Sequence, residues 1–302
     1  MILSPAEKNR QAKAKSVDKA HKTILVVEGN HEALVKKTAS GKPDGAAEQY
    51  GAVLKKLDRG VKITITRPHF AIDPAAPVVW QEIDGVAFTG AGVYWAADTA
   101  EAAPARQIME TAFKHGLPVF GSCYGMQLGA AVLGGRLYAN PSGPEIAIAR
   151  DIRLSDAGKT HAMYDGKPEM FDALCMHRDD VLDSGNSLSI LSANAHCGVQ
   201  AVASKAADIL FWGVQYHPEL YFSQIADYLE RSDVKGFSGN KQLLGLSLAA
   251  GQSAADIAAD FRLLDKEGDV QVLKERYAIS QTLAERNIHE RELSNWLASI
   301  KE

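Results

Sequence analysis

The sequence predicts an α/β fold, an open, mostly parallel twisted sheet with helices on both faces, followed by an α-helical C-terminal extension. Three observations predict it. Apolar runs that end in glycine-containing turns recur at 22–30 (KTILVVEGN), 83–95 (IDGVAFTGAGVYW) and 117–135 (LPVFGSCYGMQLGAAVLGG), as buried parallel strands do. Stretches with helical spacing lie between them, and beyond Leu220 the strand signals stop altogether.

In chain order, 22–30 is the first core strand, ended by Gly29-Asn30. Residues 45–59 place Tyr50, Val53, Leu54 and Leu57 on one helical face, and VKITITRP (61–68) then alternates like a strand. The strand within 83–95 enters a glycine-containing loop, and 100–115 reads as a helix closed by His115-Gly116. The strand within 117–135 turns sharply at Ser122-Cys123 into a helix that Gly134-Gly135 ends. From about 136 to 216 short strands and turns suggest additional strands beside the parallel sheet. Four helices are expected near 221–231, 252–266, 269–285 and 288–300, the last N-capped by Asn287 with Glu290 in a capping box. The polar, glycine-containing segment 232–242 is the expected boundary, giving a polar N-terminal extension (1–21), a main domain (22–231) and a helical extension (232–302).

Composition narrows the function classes. The 302 residues are 46% hydrophobic and carry a net charge of −4, which offers no general attraction to nucleic acid or anionic lipid. The first 22 residues lack the apolar core of a secretory signal, and no run of about 18 uncharged apolar residues occurs. The three cysteines, Cys123, Cys175 and Cys197, are too few and odd in number for a disulfide framework. A cytoplasmic protein with free thiols is expected, with neither nucleic acid nor membrane as partner.

Two segments carry chemistry. In Gly121-Ser122-Cys123-Tyr124-Gly125 a cysteine sits between strand and helix with glycine two positions to either side, the pattern of a nucleophile elbow. Glycines allow strand and helix to approach closely there, and thiolates are favoured at helix N-termini beside a basic partner. Alone, Cys123 also reads as a buried structural thiol. In GVQYHPE (213–219) His217 ends an apolar strand, and Glu219 follows across Pro218 on the same side of an extended segment, where it can orient the imidazole. Nucleophile, base and orienting acid are then all present.

GSCYGMQ and GVQYHPE resemble the two signature motifs of the class I (triad) glutamine amidotransferases, over about residues 22–230, most closely stand-alone members similar to the amidotransferase part of GMP synthase. The resemblance implies a flavodoxin-like sheet, with Cys123 as nucleophile, His217 as base and Glu219 as its partner. It implies that Thr89-Gly90-Ala91-Gly92 is the oxyanion loop, although Ala91 and Gly92 depart from the usual Ser-Gly-Gly-Pro, and that N–H groups of Tyr124 and of Gly90 or Ala91 are the donors. By itself TGAG also reads as a tight turn. Gln127, His177, Arg178 and Asp179 resemble residues that hold glutamine, while His196-Cys197 has no further Cys or His at metal-ligand spacing.

The implied reaction is hydrolysis of the glutamine side-chain amide through a γ-glutamyl thioester, with no metal or organic cofactor. No GxxxxGK[ST] or SGGxDS-like loop is present, so the ammonia would go to an unidentified acceptor or to a separate synthetase or acceptor subunit. Two alternatives stay open, a γ-glutamyl peptide hydrolase or transferase with the same triad, and a catalytically silent binding module. The C-terminal apolar positions Ile257, Phe261, Leu264, Val272, Leu283, Leu293, Trp296 and Leu297 are spaced for packing, or for a homo-oligomer or partner interface.

Overall fold

The structure, a computed structural model, describes residues 21–37, 39, 41, 43–73, 77–230, 246, 252–268 and 270–301. Most of the expected N-terminal extension and the whole expected linker at 232–242 lie outside the described residues.

Among the described residues nine strands form one sheet: β1 (Thr23–Val27), β2 (Lys62–Thr66), β3 (Gly85–Phe88), β4 (Val119–Ser122), β5 (Glu145–Leu154), β6 (Met170–His177), β7 (Leu188–Ala193), β8 (Ala201–Ser204) and β9 (Phe211–Val214). Their order is β2-β1-β3-β4-β9-β8-β7-β5-β6. The first five run parallel, and from β9 outward every pairing is antiparallel. The 136–216 block thus extends a parallel core, as its composition suggests.

Burial on both faces explains the unbroken apolar runs. In β1, Ile24 and Val26 enter one core with Tyr50 and Phe120, while Leu25 and Val27 enter the other with Val86, Phe88, Met109 and Phe211. The covering helices are α1 (Ala46–Leu57), α2 (Ala103–Lys114) and α3 (Tyr124–Val132). The register Gly213↔Gly121 and Val214↔Ser122 sets the carboxyl ends of β4 and β9 side by side. Both chemical motifs therefore emerge at one sheet edge, where ligands of open α/β sheets bind.

Downstream lie α4 (Phe222–Leu229), α5 (Ala254–Glu267), α6 (Gln271–Arg276) and α7 (Arg291–Ser299), with single turns at Gln281–Ala284 and Arg286–His289. The helix expected over 269–285 is broken after Arg276, where Ala278 takes φ 47 and Arg150 donates to the carbonyls of Tyr277 and Ala278. Asn287 is not the N-cap of the last helix; it lies inside the Arg286–His289 turn, and Glu290 occupies the cap position while its carboxylate accepts from Lys56 and Arg286. The C-terminal helices share cores with the sheet. Leu293, Trp296, Leu297 and Ile300 join the cluster of Ile24 and Phe120, and Ile257, Phe261 and Tyr277 pack with Ile146, Ile148 and Leu174 of the antiparallel half. Among the described residues no helix is long and apolar enough to cross a membrane.

Candidate active site

Cys123 stands between β4 and α3 with φ 50 and ψ −105, a conformation that costs a non-glycine residue about 1–3 kcal/mol. Its surroundings fix it there: the Cys123 N–H donates to Val214 O at 2.7 Å, and Cys123 O accepts from Gln127 N at 3.0 Å. The flanking glycines are required by contact. A Cβ on Gly121 would run into the backbone of Gly125, and one on Gly125 would sit 2.6 Å from Phe88 O. Cys123 Sγ lies 3.6 Å from the carbonyl oxygen of Met176 on β6.

His217 Nδ1 is 2.6 Å from Glu219 Oε1, so the extended His-Pro-Glu segment does bring carboxylate to imidazole. Among the described residues Nε2 has no nitrogen or oxygen partner and faces the Cys123 sulfur. Burial works against the imidazolium, but the Glu219 carboxylate and the Cys123 sulfur more than offset it, and the His217 pKa is pushed up to about 10. The imidazole therefore holds its proton at neutral pH. The second carboxylate oxygen, Glu219 Oε2, accepts from Ser122 Oγ at 3.0 Å, and Ser122 Oγ in turn lies 3.1 Å from Tyr50 Oη.

The glycine-containing loop after β3 packs directly on this group. A Cβ on Gly90 would overlap His217 Cε1, and the loop is tied down by Thr89 Oγ1 accepting from Gly29 N at 2.9 Å and Asn30 Oδ1 accepting from Gly92 N at 2.7 Å. Ala91 abuts Gly29. Tyr124 opens α3; its phenol accepts from Trp95 Nε1 at 3.1 Å, and burial pushes its pKa up to about 12.

The residues that resemble glutamine-holding groups separate into two kinds. Gln127 Nε2 and both ring nitrogens of His177 face the scaffold. Gln127 Nε2 donates to Asp179 O at 2.6 Å, and buried His177 has Nε2 at 2.9 Å from Glu145 and Nδ1 at 2.9 Å from Asp180. Arg178 is about half exposed and clasps Asp179 with contacts of 2.9 and 2.7 Å. The His177, Asp180 and Cys197 ligand atoms lie within 4.8 Å of one another. Burial opposes a charge on His177, yet Asp180 and Glu145 raise its pKa to about 10, and burial pushes the Cys197 thiol up. In this arrangement His177 is an imidazolium between two carboxylates, an ion network with Cys197 beside it.

Several groups around the site carry no sequence signature. Ser122 donates to Glu219 and is itself backed by Tyr50, and two residues from the C-terminal part reach the loop that carries His217. His289 Nε2 lies 3.2 Å from His217 O, and Arg286 Nη1 donates to Leu220 O at 2.5 Å. Burial and the nearby Arg286 and Lys167 hold the His289 pKa well below the usual range, so its ring is neutral and Nε2–H is the donor.

The profile of the family Glutamine amidotransferase class-I matches residues 52–234. A Gamma-glutamyl-L-1-hydroxyisopropylamide hydrolase from Pseudomonas sp is 31% identical over 222 residues, 69% of this chain and 71% of that protein. A GMP synthase [glutamine-hydrolyzing] from Caldicellulosiruptor saccharolyticus is 28% identical over 177 residues, 56% of this chain but only 30% of that protein. Among solved structures, a glutamine amido transferase from Methylobacillus flagellatus (TM-score 0.62, 17% identity) covers 93% of this chain and 96% of its own. A glutamine amidotransferase from Thermotoga maritima (TM-score 0.58, 15% identity) covers 93% and 98%. These structures establish the shared fold, including its C-terminal helices. With the profile spanning more than half of the sequence, the chain belongs to the class I glutamine amidotransferase family.

Proposed function

We propose that the protein hydrolyses the side-chain amide of glutamine with Cys123 as nucleophile, His217 as proton carrier and Glu219 as the acid that orients it. The observation that carries this reading is the 2.6 Å contact of His217 Nδ1 with Glu219, which turns Nε2 toward a cysteine on a strand-to-helix elbow. In this mechanism the Cys123 sulfur attacks the amide carbon, forming a C–S bond and an oxyanion. The N–H of Tyr124 and that of Gly90 or Ala91 receive the oxyanion, at about 3 kcal/mol per donor. His217 gives its proton to the leaving nitrogen as the C–N bond breaks and ammonia departs. It then takes a proton from water, which attacks the thioester and releases glutamate.

We assign head-group binding to the exposed Arg178 and its partner Asp179, and support of that wall to Gln127 and His177. Residues 22–231 form the amidotransferase domain in this reading, and 232–302 a helical extension that braces it. Released ammonia passes to an acceptor or to a partner subunit.

A second reading is hydrolysis of a γ-glutamyl amide that bears a substituted amine. The Pseudomonas relative carries the name of such a hydrolase, and the loop beside the nucleophile presents Trp95 framed by Tyr94, His69 and His31 at 5.0, 5.5 and 5.6 Å. Steady-state assays on glutamine and on γ-glutamyl isopropylamide separate the two. Rapid glutamine turnover supports the first, rapid turnover of the substituted amide alone supports the second, and turnover of neither contradicts both.

A further inference from the structure

Ser122 is the last residue of β4 and is fully buried, although nothing in a strand-to-helix elbow asks for a hydroxyl at that position. A buried hydroxyl is costly unless paired, so its partners matter. There are two. Ser122 Oγ lies 3.0 Å from Glu219 Oε2 and 3.1 Å from Tyr50 Oη. An ionised carboxylate only accepts, so the single Ser122 proton points to Glu219, and the lone pair left over accepts the Tyr50 O–H. A direction follows for the whole chain of contacts: Tyr50 donates to Ser122, Ser122 to Glu219 Oε2, and His217 Nδ1 to Glu219 Oε1.

We propose that Tyr50 and Ser122 are positioning residues, a buried hydroxyl relay that locks the plane of the Glu219 carboxylate and through it the ring of His217. The proposal rests on reading Cys123, His217 and Glu219 as the reacting set. Without the serine proton, Oε2 would be left unpaired on a side chain that is only 5% exposed, and the carboxylate would be free to rotate away from Nδ1. Tyr50 keeps its proton, because burial first and then the Glu219 charge push its pKa well above the usual phenol value. The relay starts on α1 and ends at β9's loop, so it clamps two elements that approach the site from different parts of the chain.

The test is the pH dependence of Cys123 alkylation by iodoacetamide in the full chain, for wild type, S122A and Y50F. Cys175 and Cys197 are fully buried, and C123A supplies the background. The wild-type profile is expected to show an alkaline step belonging to His217. In S122A that step should move down by about one pH unit, and in Y50F by less. Hydrolysis should lose about tenfold in kcat in S122A, with KM changed less than twofold. Profiles that superimpose on wild type in folded variants overturn the relay, and if S122A does not fold, an unshifted Y50F profile does so alone. Alkylation needs no amide substrate. A wild type that hydrolyses no amide yet shows the shifts refutes the proposed reaction and leaves the relay standing, whereas the absence of any His217 step overturns both.

Discussion

His289 Nε2 donates to the backbone carbonyl of His217 at 3.2 Å, a contact that joins residues 72 positions apart and fastens the C-terminal helices to the loop bearing the imidazole. Arg286 reinforces it by donating to Leu220 O and stacking over the Tyr221 ring at 3.9 Å. The helices downstream of the sheet thus support the site from behind.

This brace has a pH signature. The His289 pKa in the folded state lies below its ordinary 6.5, chiefly through burial, so the unfolded chain takes up a proton that the folded chain refuses. Stability from this residue is present above pH 6.5 and is lost as pH falls below it. Urea titrations from pH 7.5 to 5 are expected to show an acid loss that is reduced in His289→Gln, which keeps an N–H donor and cannot titrate. Equal acid slopes in the two proteins would contradict the assignment.

The opposite sign holds for His217. Its pKa rises from 6.5 to about 10 in the folded state, so its contribution to stability is full below 6.5 and is lost as pH climbs toward 10. As proton donor to the leaving nitrogen it should also impose an alkaline fall in kcat near that value. Glu219→Gln is expected to cut kcat by about a hundredfold or more and to bring this fall to lower pH. The check is the kcat profile from pH 6 to 10.5 for both proteins.

Gly90 packs against the imidazole so closely that a methyl group would overlap His217 Cε1. Gly90→Ala should therefore push the ring off its line to Cys123. We expect about a hundredfold loss in kcat/KM while the melting temperature changes little, as measured by paired kinetics and thermal unfolding.

Lys167 and Glu292 form an ion pair at 2.5 Å with side chains 1% and 0% exposed, and Glu292 also accepts from Tyr216, the neighbour of His217. Lys167→Met leaves a buried carboxylate without its cation. A loss of about 3–5 kcal/mol in unfolding free energy is expected, and substituting Glu292→Leu as well should recover much of it.

How much was legible in the sequence follows from what each feature depends on. The apolar runs at 22–30 and 117–122 announce two-faced burial because period and composition are local properties, and the elbow and His-x-Glu segments announce themselves because their spacing is fixed by backbone geometry. The roles of Tyr50 and Ser122 are invisible at that level. Tyr50 reads as one more apolar position on α1, and only the packing of α1 on β1 and β2 carries its hydroxyl to Ser122. Likewise nothing local marks the break at Ala278, which Arg150 of β5 stabilises through two carbonyls, nor the reach of His289 to His217. Sequence periodicity predicts one helix over 269–285 because tertiary hydrogen bonds that override propensity leave no periodic trace.

In the proposed reaction Cys123 forms the covalent bond to a glutamine-like acyl group. Incubation with a diazoketone analogue of glutamine, followed by peptide mass mapping and residual-activity assay, tests this bond directly. A single adduct on Cys123 is expected, with amide hydrolysis lost in proportion to labelling and no adduct in C123A. Labelling at Cys175 or Cys197 instead, or amide hydrolysis that survives in C123A, would contradict it.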